Sequence, residues 1–166
     1  MEKELQKINT RTIVLGALFA AATTGATLLH IPFPTLYGYF NIGEIMVYTS
    51  AFLMGKWIGA IAGGLGSALA DLILGYAAWA PYTLLVKGAE GFIVGTLAPG
   101  KVGAKKVVAV IPGAAVMILG YTLFTKFIFH QAFIFELGTD ILQATVGTLV
   151  AIPLAETLSK LPLLNR

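Results

Sequence analysis

Residues 57–76 read WIGAIAGGLGSALADLILGY, an apolar stretch whose only charged residue is Asp71. A helix that spans the hydrocarbon core of a bilayer needs about 20 mostly apolar residues, and this stretch has that length. Gly59, Gly63, Gly66 and Ala70 recur in it at helical spacing. Small residues let helix backbones approach closely in lipid, where apolar surfaces have no water to escape. The stretch therefore predicts a transmembrane helix packed inside a bundle.

The composition of the whole chain indicates the same environment. Of its 166 residues, 57% are hydrophobic and 11% are charged, whereas soluble domains carry about 25% charged residues. A soluble protein of this composition could not cover its surface with polar groups, so we expect an integral membrane protein. The chain contains no cysteine, which excludes disulfide bonds and cysteine-based metal or redox sites.

Six stretches have the character of membrane spans, and we expect one domain over residues 1–166, an all-α compact bundle of six transmembrane helices. The second stretch is the weakest, because its continuous apolar part covers only residues 42–54. Five spans with a re-entrant second segment is the alternative. Pro32 and Pro34 prevent a continuous helix between the first two stretches. The predicted spans are Thr12–Leu29, Tyr37–Gly55, Trp57–Tyr76, Pro81–Ala98, Val107–Phe129 and Leu137–Leu158.

The basic residues predict the orientation of the bundle. Nine of the eleven lysines and arginines lie at the termini or in the connections after the second and fourth spans. These positions share one side of a six-span bundle, and the connections near residues 30–37, 76–81 and 130–137 contain no Lys or Arg. The positive-inside rule then places both termini in the cytoplasm. The basic character of the chain is thus explained without a nucleic-acid partner.

No pattern of catalytic or metal-binding residues is present. The chain lacks nucleophile-elbow, zinc-protease and phosphate-loop motifs, and it has no cluster of histidines. His30 and His130 fall at the predicted outer membrane edge, where we interpret them as ordinary interfacial residues. We therefore expect no enzyme activity, no cofactor and no metal.

The polar residues within the predicted spans are the candidates for a function. Intramembrane charges are costly and normally face a bundle interior or a water-filled cavity. Under the predicted topology they concentrate in the outer half of the membrane, which indicates an outward-opening polar pocket. Structural ion pairing of Lys87 with Glu90, with Asp71 as a further candidate partner, is one alternative. Snorkelling to the interface is a second one for Lys126 and Glu136. The polar residues that share helical faces are Asn41, Glu44 and Tyr48; Thr83, Lys87 and Glu90; and Glu136, Asp140 and Gln143, with Asp71 near the end of the third span.

Three aromatic residues precede Lys87 in the sequence. Tyr76, Trp79 and Tyr82 lie at the predicted outer rim, where aromatic residues commonly form an interfacial belt. Aromatic rings also line small-molecule sites and stack on planar ligands. Both interpretations remain open from the sequence.

Over essentially its whole length the chain resembles the substrate-binding S components of energy-coupling factor (ECF) vitamin transporters. It is most similar to the branch named after riboflavin transport, which includes proteins assigned to hydroxymethylpyrimidine. The resemblance implies six helices, a ligand site near the outer face and a first loop, here residues 30–39, that covers it. It is carried by ALFAA at residues 17–21 and by residues 40–95, FNIGEIMVYTSAFLMGKWIGAIAGGLGSALADLILGYAAWAPYTLLVKGAEGFIVG.

The resemblance also implies partners. An S component binds its vitamin and docks onto a transmembrane coupling subunit that two cytoplasmic ATPases drive. The small face at Ala17 and Ala21 would contact that coupling subunit. The ligand contacts of the family fall by position on Trp79, Tyr82, Lys87, Glu90, Asp140 and Gln143.

We therefore expect a substrate-binding subunit in the plasma membrane of a bacterium or archaeon. A small aromatic heterocycle such as hydroxymethylpyrimidine is the preferred ligand, and riboflavin is the next. The alternatives are a stand-alone carrier or channel that uses Asp71, Lys87 and Glu90, and a membrane enzyme that uses Asp71 and Glu90 as acid and base. The predicted substrate-binding residues are Asn41, Glu44, Asp71, Trp79, Tyr82, Lys87, Glu90, Asp140 and Gln143.

Overall fold

The chain forms a bundle of six helices with one short pair of strands. The computed structural model describes residues 10–32, 39–99, 101, 103–128, 130 and 133–161, apart from the side chains of residues 32 and 128. The elements are α1 (Thr10–Leu28), β1 (His30–Pro32), β2 (Tyr39–Asn41), α2 (Gly43–Met54), α3 (Lys56–Leu74), α4 (Ala80–Leu97), α5 (Lys105–Ile128) and α6 (Phe133–Leu158).

The helical fold class is confirmed, and the helices fit a membrane protein. Among the described residues, α1, α3, α5 and α6 are long and apolar enough to cross a bilayer. Helix α2 has 12 residues, which at about 1.5 Å per residue is too short for a hydrocarbon core of about 30 Å. Helix α4 has 18 residues and carries Lys87 and Glu90. The count of six spans and the orientation of the termini stay predictions.

The strands are a feature that the sequence did not indicate. Strands β1 and β2 pair antiparallel, with His30 opposite Asn41 and Ile31 opposite Phe40. Because residues 39–41 pair in this hairpin, α2 begins at Gly43 rather than at the start of the predicted 37–55 span. The Asn41 side chain links β2 to the helix, since its Oδ1 accepts a hydrogen bond of 2.8 Å from the N–H of Gly43, the first residue of α2.

Glycines bring α3 into backbone contact with both of its neighbours. A Cβ added to Gly63 would lie 2.5 Å from the carbonyl oxygen of Lys87 on α4, and one added to Gly66 would lie 2.7 Å from that of Ala20 on α1. Only glycine permits such an approach. The predicted row of small residues on α3 is thus internal packing, and it fixes the height of Lys87 beside α3.

Helix α2 lies in the interior of the bundle. Val47 and Tyr48 are fully buried, and α2 packs against α1, α3, α4 and α6. The outer faces of the longer helices carry large apolar side chains, such as Leu85 and Leu149, which are 70% and 69% exposed. An exposed apolar exterior around a polar interior is the pattern expected of a chain embedded in lipid.

Substitution of Gly91 tests the contact between α3 and α4. We expect Gly91→Ala to lower the free energy of unfolding by about 1–3 kcal/mol, because a Cβ at position 91 would overlap the carbonyl group of Gly59. Gly88→Ala is the matched control on the same helix. A Cβ there meets Ala60 and Gly64 at 3.7 and 3.8 Å, which is ordinary van der Waals contact. Thermal unfolding of both purified variants in one detergent measures the difference, and equal stabilities would contradict the close approach.

Candidate functional site

A polar pocket lies at the end of the bundle where the hairpin packs. Its enclosed part measures about 50 Å³, and the empty space amounts to about 470 Å³ when the open mouth is included. The hairpin and all six helices except α2, together with the turn before α4, contribute to its wall. The lining residues are Thr27, Tyr39, Asn41, Ser67, Asp71, Trp79, Thr83, Lys87, Tyr121, Glu136, Asp140 and Gln143.

Lys87 lies in the wall of this pocket and is held from behind by two carboxylates. Its ammonium group forms an ion pair with Glu44 of α2 and another, of 3.1 Å, with Glu90 one turn along α4. The Tyr48 hydroxyl donates a hydrogen bond of 2.7 Å to the second oxygen of Glu90. All four side chains are at least 95% buried. The ion pair between Lys87 and Glu90, which the sequence offered as an alternative, is therefore present, and Glu44 is an additional partner of Lys87.

The hairpin is tied to the bundle by two sets of hydrogen bonds. The Tyr39 hydroxyl donates to Asp71 Oδ1 on α3 at 2.5 Å. The backbone N–H and the side-chain amide of Asn41 both donate to Gln143 Oε1 on α6 at 2.8 Å. The ring of Tyr39 also packs against those of His30 and Tyr76, at centroid distances of 5.3 and 5.1 Å. Residues 39–41 thus connect helices on different sides of the pocket.

Two carboxyl groups in the pocket wall have hydrogen-bonding capacity left over. Asp71 and Asp140 are each only 3% exposed. The Oδ2 atoms of both have no hydrogen-bond partner among the described residues. Buried polar atoms in folded proteins are nearly always bonded, so these two oxygens are placed to accept donors from a bound molecule. Glu136, in the first turn of α6, adds a third carboxyl group to the lining.

Aromatic rings form the remaining side of the pocket. Trp79 is buried, and its ring packs against Tyr121 and Phe124 at centroid distances of 5.9 and 4.9 Å. Gly75 ends α3 in the left-handed conformation, at φ 87°, and the turn that follows returns the chain to Trp79 at the start of α4. Of the two interpretations of Trp79, its burial in the pocket wall favours the one in which it meets a ligand.

Six of the nine predicted substrate-binding residues line the pocket, and three do not. Glu44 and Glu90 lie behind Lys87, where they neutralise its charge. Tyr82 instead donates a hydrogen bond of 2.9 Å to the Gly120 carbonyl and stacks on Phe124. The six lining residues are Asn41, Asp71, Trp79, Lys87, Asp140 and Gln143.

Sequence reasoning missed several residues of the lining. Thr83 and Glu136 shared helical faces with predicted residues, and Tyr39 fell within the predicted covering loop. Thr27, Ser67 and Tyr121 had no comparable signal, because a single hydroxyl in an apolar span is common. Of the predicted loop, residues 33–38 lie outside the described part of the chain.

Helix α1 has two faces with small side chains, and these faces differ in their surroundings. Gly16 and Ala20 are buried, and Gly16 faces Ile61 of α3. Ala17 and Ala21 are exposed on the outside of the bundle. The face that was expected to receive a partner is therefore the one that no other helix covers in the described structure.

Removal of the Lys87 charge tests the buried ion pairs. We expect Lys87→Met to lower the free energy of unfolding by about 3 kcal/mol or more, because Glu44 and Glu90 would remain buried without their cation. Lys106→Met is the control, since its partner Glu156 is half exposed at 3.9 Å and should contribute at most about 1 kcal/mol. Thermal unfolding in one detergent compares them, and similar losses would contradict the proposed dependence on Lys87.

Comparison with known proteins identifies the kind of molecule to which this pocket belongs. Residues 7–160 match the family described as ECF-type riboflavin transporter, S component. A protein of Pyrococcus woesei, named only as an uncharacterized protein in a gap 3′ region, is 39% identical over 142 residues, which cover 84% of this chain and 95% of that protein. The thiamine precursor transporter HmpT of Lactococcus lactis subsp. cremoris is 26% identical over 166 residues, covering 98% of this chain and 96% of HmpT. The family consists of transporter subunits and not of enzymes, and this chain belongs to it as an S component of a vitamin transporter.

Proposed function

We propose that this S component binds a small aromatic heterocycle in the polar pocket, with a hydroxymethylpyrimidine-type thiamine precursor as the preferred ligand. The observation that carries the proposal is the combination of aromatic rings with unpartnered carboxyl oxygens in one buried wall. Trp79 and Tyr121 offer surfaces for a planar ring, and Asp71 and Asp140 offer acceptors at its edge. The similarity to HmpT, whose name assigns it a thiamine precursor, supports the same ligand class.

The chemistry of an aminopyrimidine suits this wall. Its exocyclic amino group and its hydroxymethyl group are hydrogen-bond donors, which a carboxylate accepts strongly. Its flat ring can stack on an aromatic side chain in the offset or edge-on manner that such rings prefer. Asn41, Gln143 and Thr83 lie in the same lining and can bond the ring nitrogens.

Riboflavin is the second candidate because the matching family carries its name. Its three fused rings and polyol chain are much larger than one pyrimidine ring. The hairpin, which is bonded to Asp71 through Tyr39, would have to move outward to admit riboflavin. A single-ring ligand requires a smaller opening of the hairpin than riboflavin does, and for this reason we place it first.

The pocket end of the bundle faces the outside of the cell in this proposal. Lys101, Lys105 and Lys106 lie at the opposite end of α4 and α5, as the positive-inside rule requires of a cytoplasmic connection. The termini are then cytoplasmic, all six helices lie within the membrane region, and the protein is a multi-pass subunit in a bacterial or archaeal plasma membrane.

The hairpin serves as the cover of the pocket. Residues 39–41 of the hairpin contact the bundle at the pocket mouth through a small number of hydrogen bonds and ring contacts. Such contacts can break and re-form without disturbing the helices behind them. Ligand entry then requires the hairpin to open.

Delivery of the ligand depends on separate subunits. A transmembrane coupling subunit docks on the exposed face of α1 at Ala17 and Ala21, and two cytoplasmic ATPases drive release. The small side chains on this face would let a partner helix approach closely. Large exposed residues flank them, with Val14 and Leu18 being 58% and 57% exposed.

Ligand identity can be established on the purified protein. We expect mass spectrometry of protein purified alone in detergent to detect a co-purifying pyrimidine or flavin. Titration of the ligand-free protein should then give tight one-to-one binding without turnover. Uptake into ATP-free liposomes that contain only this chain would contradict the proposal and favour a stand-alone carrier.

The docking face has its own test. We expect Ala17→Phe with Ala21→Phe to leave ligand binding in detergent unchanged and to abolish uptake in cells that supply the coupling subunit and ATPases. The matched control is Ala115→Phe, which enlarges an alanine that is likewise exposed, on α5. It should preserve both binding and uptake. Loss of ligand binding in the double variant would instead show that the α1 face supports the fold.

A further inference from the structure

The charges around the pocket are strongly unequal. Lys87 is the one cation that the described residues contribute to its lining. That cation is already paired with two buried carboxylates, Glu44 and Glu90. Three further carboxyl groups, of Asp71, Glu136 and Asp140, lie in the lining itself. The pocket therefore offers a ligand several carboxyl groups but, among the described residues of its lining, no unpaired lysine or arginine.

The geometry of two of these groups shows where a ligand would meet them. Asp71 and Asp140 are both 97% removed from solvent, at 3% exposure. Each has one oxygen without a hydrogen-bond partner among the described residues, and both side chains line the same pocket. A buried acceptor oxygen of this kind gains from a hydrogen-bond donor and stays unsatisfied beside a ligand group that is itself an acceptor, such as a phosphate.

We propose that the pocket selects the unphosphorylated form of its ligand, and that Asp71 and Asp140 are the specificity-determining residues. Their free oxygens accept hydrogen bonds from N–H or O–H groups of the heterocycle. A phosphate monoester carries a charge of about −1.5 to −2 at pH 7 and would enter among carboxylates. This inference rests on the proposed function, which supplies the ligand class.

Lys126 does not supply a free cation to the pocket lining. It is exposed near the end of α5, and its ammonium group lies over the rings of Phe127 and Phe133, at 5.4 and 5.5 Å. It does not contribute to the pocket lining.

The test compares an alcohol with its phosphate ester. Hydroxymethylpyrimidine and its phosphate monoester are titrated into the purified, ligand-free protein, and riboflavin and its 5′-phosphate form a second pair. For whichever alcohol binds, we expect the ester to bind at least about 100-fold more weakly, because placing like charges side by side is costly at a binding site. Asp140→Asn and Asp71→Asn should each weaken binding of the alcohol and narrow the ratio of the two affinities at least tenfold, since the amide keeps the shape and replaces one acceptor oxygen by a donor NH₂ group.

Glu156→Gln is the matched control for these variants. It makes the same change on α6, 16 residues beyond Asp140, which is about 24 Å along the helix. Glu156→Gln should change neither the affinity for the alcohol nor the affinity for its phosphate ester. Equal binding of alcohol and ester by the native protein would overturn this inference and leave the proposed function intact. Discrimination that persists unchanged in both Asn variants would overturn the roles of Asp71 and Asp140. Absence of binding by either alcohol would overturn the proposed function and this inference together.

Discussion

The structure depends on one buried ammonium group, that of Lys87, placed between the carboxylates of Glu44 and Glu90. A charge at the centre of a bilayer costs at least about 2.5–3.5 kcal/mol, so these groups can exist there only together and away from lipid. Because Glu44 and Lys87 stabilise each other, α2, which is too short to cross the membrane alone, lies inside the bundle against α4. The Tyr48 hydroxyl completes the arrangement by bonding Glu90.

Glycine packing makes this arrangement geometrically available. Helix α3 approaches α4 so closely that a Cβ at Gly63 would meet the carbonyl oxygen of Lys87. The backbone at Lys87 is therefore fixed, and its side chain extends from a defined height toward α2 and the pocket. Ion pairing and close packing thus both act on Lys87. The pocket wall is held in place at the residue whose charge is most costly to expose.

The sequence predicted the helices and much of the pocket lining, but not the strand pair at the mouth of the pocket. Hydropathy and the row of glycines on α3 reflect local periodicity, which a single chain displays directly. Helix rise, combined with the predicted topology, placed Asp71, Lys87 and Asp140 in the same half of the bundle, and the structure brings all three into one pocket lining. The strand pair at residues 39–41 did not follow, because it depends on partners such as Gln143, a hundred residues away along the chain. Periodicity could likewise not show that Glu44 belongs behind Lys87 and not beside the ligand.

The contacts of the hairpin explain how Asp71 could bond the hairpin and a ligand at the same time. Asp71 uses Oδ1 to accept the Tyr39 hydroxyl and keeps Oδ2 unpartnered. Under the proposed function, a ligand donor that bonds Oδ2 need not displace Tyr39, so binding and closure can occur together. A ligand that instead repels Asp71 would disturb the carboxylate that holds the hairpin. Asp71 would then favour closing of the hairpin when the bound ligand presents a hydrogen-bond donor, and would oppose it when the ligand presents an anion.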